Sequence, residues 1–137
     1  MRRFSSISNK MMNLKIKDKI GIVEFNNQLS SVNVINNSFS QSLQEVLDKY
    51  DQENLNAIIF KSTKKNNFIA GADIGMLEKS SKDEINKILE NGHKLIRKLQ
   101  SINSIASING SCLGGGLEFA MACKYRIATD SKKTKLG

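Results

Sequence analysis

The sequence has no proline, no tryptophan, a single histidine and two cysteines among its 137 residues. One imidazole leaves His93 as the sole candidate base for a nucleophilic triad that uses histidine, and its setting inside a helical pattern points instead to a structural or surface role. The lack of any Cys/His cluster argues against a structural zinc site. Cys112 and Cys123 match neither a zinc nor a redox spacing and read as reduced, partly buried thiols of an intracellular compartment. No apolar run approaches the roughly 18 residues that a membrane-spanning helix needs. Acids are missing from the start: Arg2, Arg3, Lys10, Lys15 and Lys17 all precede Asp18, so most of the net charge of +8 sits in the opening segment. The remainder is mildly basic and has no basic stripe interleaved with stacking aromatics, which argues against nucleic-acid binding.

What is present is an ordinary globular balance, 39% apolar and 25% charged residues. A chain of this length forms one domain and buries roughly 65 to 70% of the surface its unfolded form exposes. The opening MRRFSSISNK is arginine-bearing, serine-rich and free of acid, the composition of a mitochondrial transit peptide. Residues 1–10 are therefore read as a presequence and the protein as mitochondrial, in the matrix. A basic N-terminus on a cytoplasmic protein is the alternative.

From Asn13 to Phe25, Leu14 and Ile16 alternate with lysines, and Ile20, Ile22 and Val23 follow Asp18-Lys19. This pattern predicts two short strands joined by a turn that contains no glycine. Asn26 to Asn37 reads as loop. Phe39, Leu43, Val46, Leu47 and Tyr50 then mark one face of an amphipathic helix, with Ser38 and Gln41 as its capping box. Ala57 to Phe60 (AIIF) reads as a strand covered on both faces. A lysine-bearing loop, Lys61 to Asn67, leads into FIAGADIGML. Ser81 to Gln100 is a second helix, with Ile85, Ile88, Leu89, Ile96 and Leu99 on one face and Ser81 and Glu84 at capping-box spacing. SIASIN (Ser104 to Asn109) is a strand, Gly114 to Met121 a helix, and YRIAT (Tyr125 to Thr129) a further strand. The order is mixed α/β with helical crossovers.

Two glycine-bearing stretches leave apolar strands: Gly71 in FIAGADI, and Gly114, Gly115 and Gly116 in NGSCLGGGLE. Loops at the carboxyl ends of such strands line ligand sites in open α/β sheets. A glycine-rich turn that opens a helix suggests phosphate binding. Gly110, Gly114, Gly115 and Gly116 do not fit G-x-G-x-x-G, however, and Leu117-Glu118 stand where a P-loop needs lysine and a hydroxyl. The Glu118 carboxylate would also repel a phosphate. The same geometry suits a smaller developing charge, since two backbone N–H groups aimed at one carbonyl oxygen form an oxyanion hole, each donor worth roughly 2.7 to 4 kcal/mol. Glu118, nearly one helical turn along, then acts as general base or acid. A tight strand-to-helix turn with a solvated Glu118, favoured there by the helix dipole, explains the same residues equally well.

FIAGADI and NGSCLGGGLE, in this order, resemble the crotonase superfamily and in particular its enoyl-CoA hydratases. CLGGGLEFAMACKYRIATDSKKTKLG is similar to the hydratase part of the mitochondrial trifunctional enzyme α subunit and its bacterial fatty-acid-oxidation relatives, and the likeness runs from about Lys15 to Gly137. It implies a crotonase-like α/β fold, a repeated ββα spiral core, here incomplete at the C-terminus, with residues 11–137 forming its N-terminal part. It implies further that Ala72 and Gly115 supply the oxyanion-hole N–H groups and that Glu118 holds and deprotonates the attacking water. Ala70 would contact the CoA adenine, and Gly71, Asp73, Ile74 and Gly75, with Gly114 and Gly116, would line the substrate. Lys61, Lys64 and Lys65 are candidates for the CoA phosphates, with a solvated loop as the plainer reading.

The reaction implied is addition of water to a trans-2-enoyl-CoA in fatty-acid β-oxidation. Its second acid, in relatives a glutamate in a Pro-Glu pair after a Leu-Gly like Leu136-Gly137, is absent from a chain without proline. Weak or no hydratase activity is the expectation for these residues alone. Asn103, where relatives carry proline, is a lesser departure. No metal or cofactor is implied, only the CoA thioester as substrate, with NAD entering only if a dehydrogenase domain follows. Homo- or hetero-oligomers or a membrane-associated complex are the implied partners of a longer protein. The alternatives are another crotonase, an enoyl-CoA isomerase or acyl-CoA hydrolase, or a non-catalytic acyl-CoA binder.

Overall fold

The computed structural model describes residues 11–137, and the presequence reading of residues 1–10 lies outside them. Strands β1 (Met12–Lys17) and β2 (Ile20–Phe25) pair antiparallel around Asp18-Lys19. Both turn residues take positive φ, 52° and 64°. That conformation matches the strand twist of a two-residue hairpin even without glycine. Helix α1 (Asn37–Gln52) begins two residues earlier than its anticipated capping box implies. Asn36, not Ser38, is the N-cap, its side-chain oxygen accepting from Phe39 N–H. Asn and Ser cap about equally well, so the N-cap falls where the backbone leaves the extended region, and that is at Asn36. The helix ends where Asn54 takes φ 51°, with Leu55 N–H donating to Tyr50 O and Asn54 N–H to Asp51 O. This is a Schellman closure with asparagine in the left-handed position.

Strand β3 (Ala57–Ser62) reaches two residues past the anticipated AIIF run, and β4 (Asn67–Ile69) begins within what reads as loop. A short helix α2 (Ile74–Glu78) precedes the long α3 (Lys82–Ser101), which Ser81 caps as anticipated by accepting from Glu84 N–H. Then follow β5 (Ser104–Ile108), β6 (Ser111–Cys112), α4 (Gly115–Ala122), β7 (Tyr125–Ala128) and β8 (Lys135–Leu136).

The main sheet runs β1-β2-β3-β5-β7, parallel from β2 onward, and a second parallel sheet runs β4-β6-β8. Strand β3 is covered on one face rather than two: Ile58 and Phe60 are fully buried, whereas Ala57 and Ile59 are half-buried. The helices bury one face of the sheet, and the cross-strand row Ile22, Ile59 and Ile105 on the other stays partly open.

The centre of the core is aromatic. Phe119 of α4 meets the rings of Phe60, Phe39, Phe25 and Phe68 at centroid distances of 5.2, 5.6, 5.8 and 6.3 Å. Edge-on contacts of this kind add to area burial because the positive ring edge meets a negative face. Both thiols are buried and unpaired. Burial pushes Cys112 up to about 11 and Cys123 up to about 12 from an ordinary 9.0.

The segment between β2 and α1 forms no regular element, yet Asn33 fixes it. Its fully buried amide donates to Ser62 Oγ and Phe68 O, while its Oδ1 accepts from Asn27 N–H. Its backbone N–H donates to Asn67 Oδ1, and its carbonyl accepts from Ala70 N–H. The segment is thereby held against β4 and the chain leaving it.

Two outcomes follow for stability. Asn33→Ala strands buried partners on three segments and should lower the unfolding free energy by about 2–4 kcal/mol in urea titrations; a loss near zero would show the network to be incidental. The thiols ionise more readily in the unfolded chain, so their contribution is complete below the ordinary thiol value of 9.0 and is lost as pH rises towards 11–12. Between pH 8 and 10.5 the wild type should therefore lose more stability than a Cys112→Ala/Cys123→Ala variant.

Candidate functional site

The second sheet brings the two glycine loops together. Asn67 of β4 pairs with Ser111 of β6 and Ile69 with Cys112, so the chains that leave both strands emerge side by side. The loops were anticipated to leave the main sheet directly. They leave these two- and three-residue strands instead, which are too short to carry a periodic signal.

On the first loop, Ile35 N–H donates to Gly71 O at 2.8 Å and Ile35 O accepts from Asp73 N–H at 3.0 Å. Ile35 thus straddles Ala72, as a parallel bridge requires, and the Ala72 N–H is turned to the opposite side. Gly71 makes the bend at φ 126°, a backbone L side chains rarely adopt.

On the second loop, Leu113 N–H donates to Ile69 O, and Gly114 at φ 51° swings the chain into α4. Gly116 N–H donates to Leu113 O and Glu118 N–H to Gly114 O. The N–H groups of Ala72 and Gly115 have no acceptor among the described residues. They are neighbours: a methyl built on Gly115 would sit 3.6 Å from Ala72 N and 3.3 Å from Ile35 Cδ1. Two free donors side by side, one of them at a helix N-terminus, make a site for an oxygen that acquires negative charge.

The wall of a cavity of about 220 Å³ includes Ala72, Gly115 and Glu118. The rest of that wall is mainly apolar, from Ile35, Phe39 and Leu43 to Ile88 and Leu89 of α3. Glu118 is exposed, and its carboxylate has no partner among the described residues. A larger groove of about 510 Å³ between β1 and α1 touches neither glycine loop.

Ala72, Gly115 and Glu118 thus converge. The other candidates serve the frame around them or lie beyond the cavity. Gly116 is buried, and a methyl on it would lie 2.4 Å from Ile69 O, so its bareness lets α4 pack on β4. Gly114 supplies the bend. Ala70 N–H is held by Asn33 O, and Asp73 caps α2 by accepting from Met76 N–H. Ile74 is 68% exposed, and Gly75 lies against Asp73. Lys64 donates to Ser30 O and braces its loop, whereas Lys61 and Lys65 are exposed.

The expected face of α3 also shifts. Leu95 and Leu99 are buried, Ile85 and Ile88 are half-buried and Leu89 is 52% exposed, because the N-terminal part of α3 borders the cavity rather than the core. His93 and Gly92 lie on that same wall. Their place was readable from spacing, since His93 follows Leu89 by four residues and precedes Ile96 by three. Among the described residues no cluster of His, Cys, Asp and Glu suits a metal ion, and no helix is long and apolar enough to cross a membrane.

Two unpartnered N–H groups at the junction of two short parallel strands and a helix, beside a mainly apolar cavity, belong to a crotonase-like α/β fold. The family model described as enoyl-CoA hydratase/isomerase matches residues 15–136, and the chain belongs to that family. It is 37% identical over 111 residues to the fatty acid oxidation complex subunit alpha of Aliivibrio fischeri, covering 77% of this chain and 16% of that protein. An enoyl-CoA hydratase from Thermoplasma volcanium superposes with a TM-score of 0.79 at 23% identity, over 90% of this chain and 50% of that one. An enoyl-CoA hydratase from Bacillus anthracis gives 0.78 at 23% identity, over 88% and 48%. The chain therefore spans about half the length of these solved structures and a smaller share of the curated relative.

The two adjacent glycines should respond differently to a methyl group. Gly116→Ala drives a Cβ into backbone and should lower stability by about 1–3 kcal/mol, whereas Gly115→Ala is tight only against the flexible tip of Ile35, with Ala72 at ordinary contact distance, and should cost less than about 1 kcal/mol. Equal losses in chemical denaturation would contradict this division.

Proposed function

We propose that this site adds water to the double bond of a trans-2-enoyl-CoA thioester, as in fatty-acid β-oxidation. The observation that carries the reading is the pair of unpartnered N–H groups on Ala72 and Gly115, with Glu118 on the wall of the same apolar cavity. The likeness to fatty acid oxidation complex α subunits supports this reaction over others of the family. The acid-free, arginine-bearing N-terminus supports a location in the mitochondrial matrix.

In this mechanism the thioester oxygen accepts from both N–H groups, which polarises the conjugated system and makes the β carbon electrophilic. Glu118 accepts a proton from water as the water oxygen bonds to that carbon. Negative charge moves to the thioester oxygen, where the two donors hold the enolate. A proton delivered to the α carbon completes the addition. Glu118 is the one carboxylate on the cavity wall among the described residues, so that last step calls for a second acid. A non-catalytic thioester binder is the second reading, favoured by this single carboxylate.

Two measurements separate them. A cinnamoyl-CoA absorbs at longer wavelength when its carbonyl is polarised. It should shift red on binding the wild-type chain, and the shift should shrink in Gly115→Ala without any turnover being needed. Hydration of crotonyl-CoA, slow in a chain of these residues, should fall by about 10²–10⁴ in Glu118→Gln. No red shift would refute the oxyanion site, and hydration indifferent to Glu118→Gln would refute its role as base.

A further inference from the structure

Gly92 stands near the middle of α3, where glycine weakens a helix relative to alanine. Nothing in the fold requires it. Its φ is not among the positive values, so alanine would adopt the same backbone. A Cβ built on it would meet no heavy atom within 4 Å outside its own helix, so no neighbouring element needs the room. Gly92 itself lines the cavity that Ala72, Gly115 and Glu118 also line. Ile88, Leu95 and Ile96, one turn away on the same helix face, line the cavity too. On the α3 side the cavity wall beside Gly92 is thus mainly hydrocarbon, with His93 its one polar side chain there, and the same cavity reaches Ala72, Gly115 and Glu118.

We propose that Gly92 is a specificity-determining residue: its missing side chain leaves the room through which the alkyl chain of a bound thioester runs away from the oxyanion pair, along α3. The inference rests on the thioester reading of the site and adds which residue sets the length of acyl group accepted. An alkyl chain is the occupant that suits a wall of isoleucine and leucine, because each methylene placed there leaves water. A short acyl group keeps its contacts beside Ala72 and Gly115 and does not reach the helix.

The test is calorimetric titration of the full chain and of its Gly92→Ala and Gly92→Leu variants with butyryl-, octanoyl- and dodecanoyl-CoA. Gly92→Ala should melt higher by roughly 2–8 °C, since it gains helix propensity and collides with nothing. Gly92→Leu should weaken octanoyl- and dodecanoyl-CoA by about tenfold or more while leaving butyryl-CoA within about twofold. Gly92→Ala should show the same ordering at smaller size, which keeps the test valid if the leucine variant folds poorly. Equal effects on all three thioesters, or none, would overturn the inference and leave the thioester reading standing. The same holds for an altered association state with an unchanged chain-length profile, which would assign Gly92 to close packing of another polypeptide. Failure of the wild-type chain to bind any of the three would overturn both.

Discussion

The close approach of α4 to β4 is the contact on which the site depends. Gly116 is pressed so near Ile69 that a single methyl group would overlap its carbonyl oxygen. One turn further on, Phe119 is enclosed by four other phenylalanines drawn from β2, α1, β3 and β4. The two contacts act together: the ring cluster draws the helix inward, and the bare glycine lets it come close enough. Without that approach the first turn of α4 would stand away from the Ala72 loop, and the two free N–H groups would not lie side by side.

Ala72 is exposed and Gly115 half-buried, so their free N–H groups carry no full burial cost. Here the surroundings fix them in place. Ile35 uses up the groups on either side of Ala72, and Leu113 O and Gly114 O are taken by Gly116 and Glu118. Neither free donor has an internal acceptor to turn to, so the pair is organised before any ligand arrives. For the proposed reaction, a site prepared in this way would need little rearrangement as charge develops, the usual source of an electrostatic advantage over water.

Much of this was legible in the sequence, and the boundary follows element length. The helices α1 and α3 and the strands of the main sheet carry enough residues to show their pattern, and the two glycine stretches marked the start of α4 and the candidate site. The second sheet did not show, because β4, β6 and β8 have two or three residues each and their order follows from pairing partners distant in the chain. Asn33 was unreadable for a related reason. An asparagine in a polar stretch looks solvated until the fold places Ser62, Phe68 and Asn67 around it. Gly92 and His93 are different. Their spacing on α3 was visible, but a helix face normally packs on a core, and only the structure shows that this face borders a cavity.

The three consecutive glycines divide their work by position. Gly114 turns the chain, Gly116 admits the helix to β4, and Gly115 keeps its own N–H open beside Ala72. Glu118 depends on the same arrangement through its neighbour. Successive helical residues are about 100° apart around the axis, so seating Phe119 in the aromatic cluster fixes the direction in which Glu118 points. With Phe119 inward and Gly116 against Ile69, residue 118 is turned out of the core and onto the cavity wall. The orientation of the proposed base is thus set by hydrophobic packing, and no hydrogen bond within the described chain ties up its carboxylate. A carboxylate aimed in this way keeps its oxygens available to a substrate or to water.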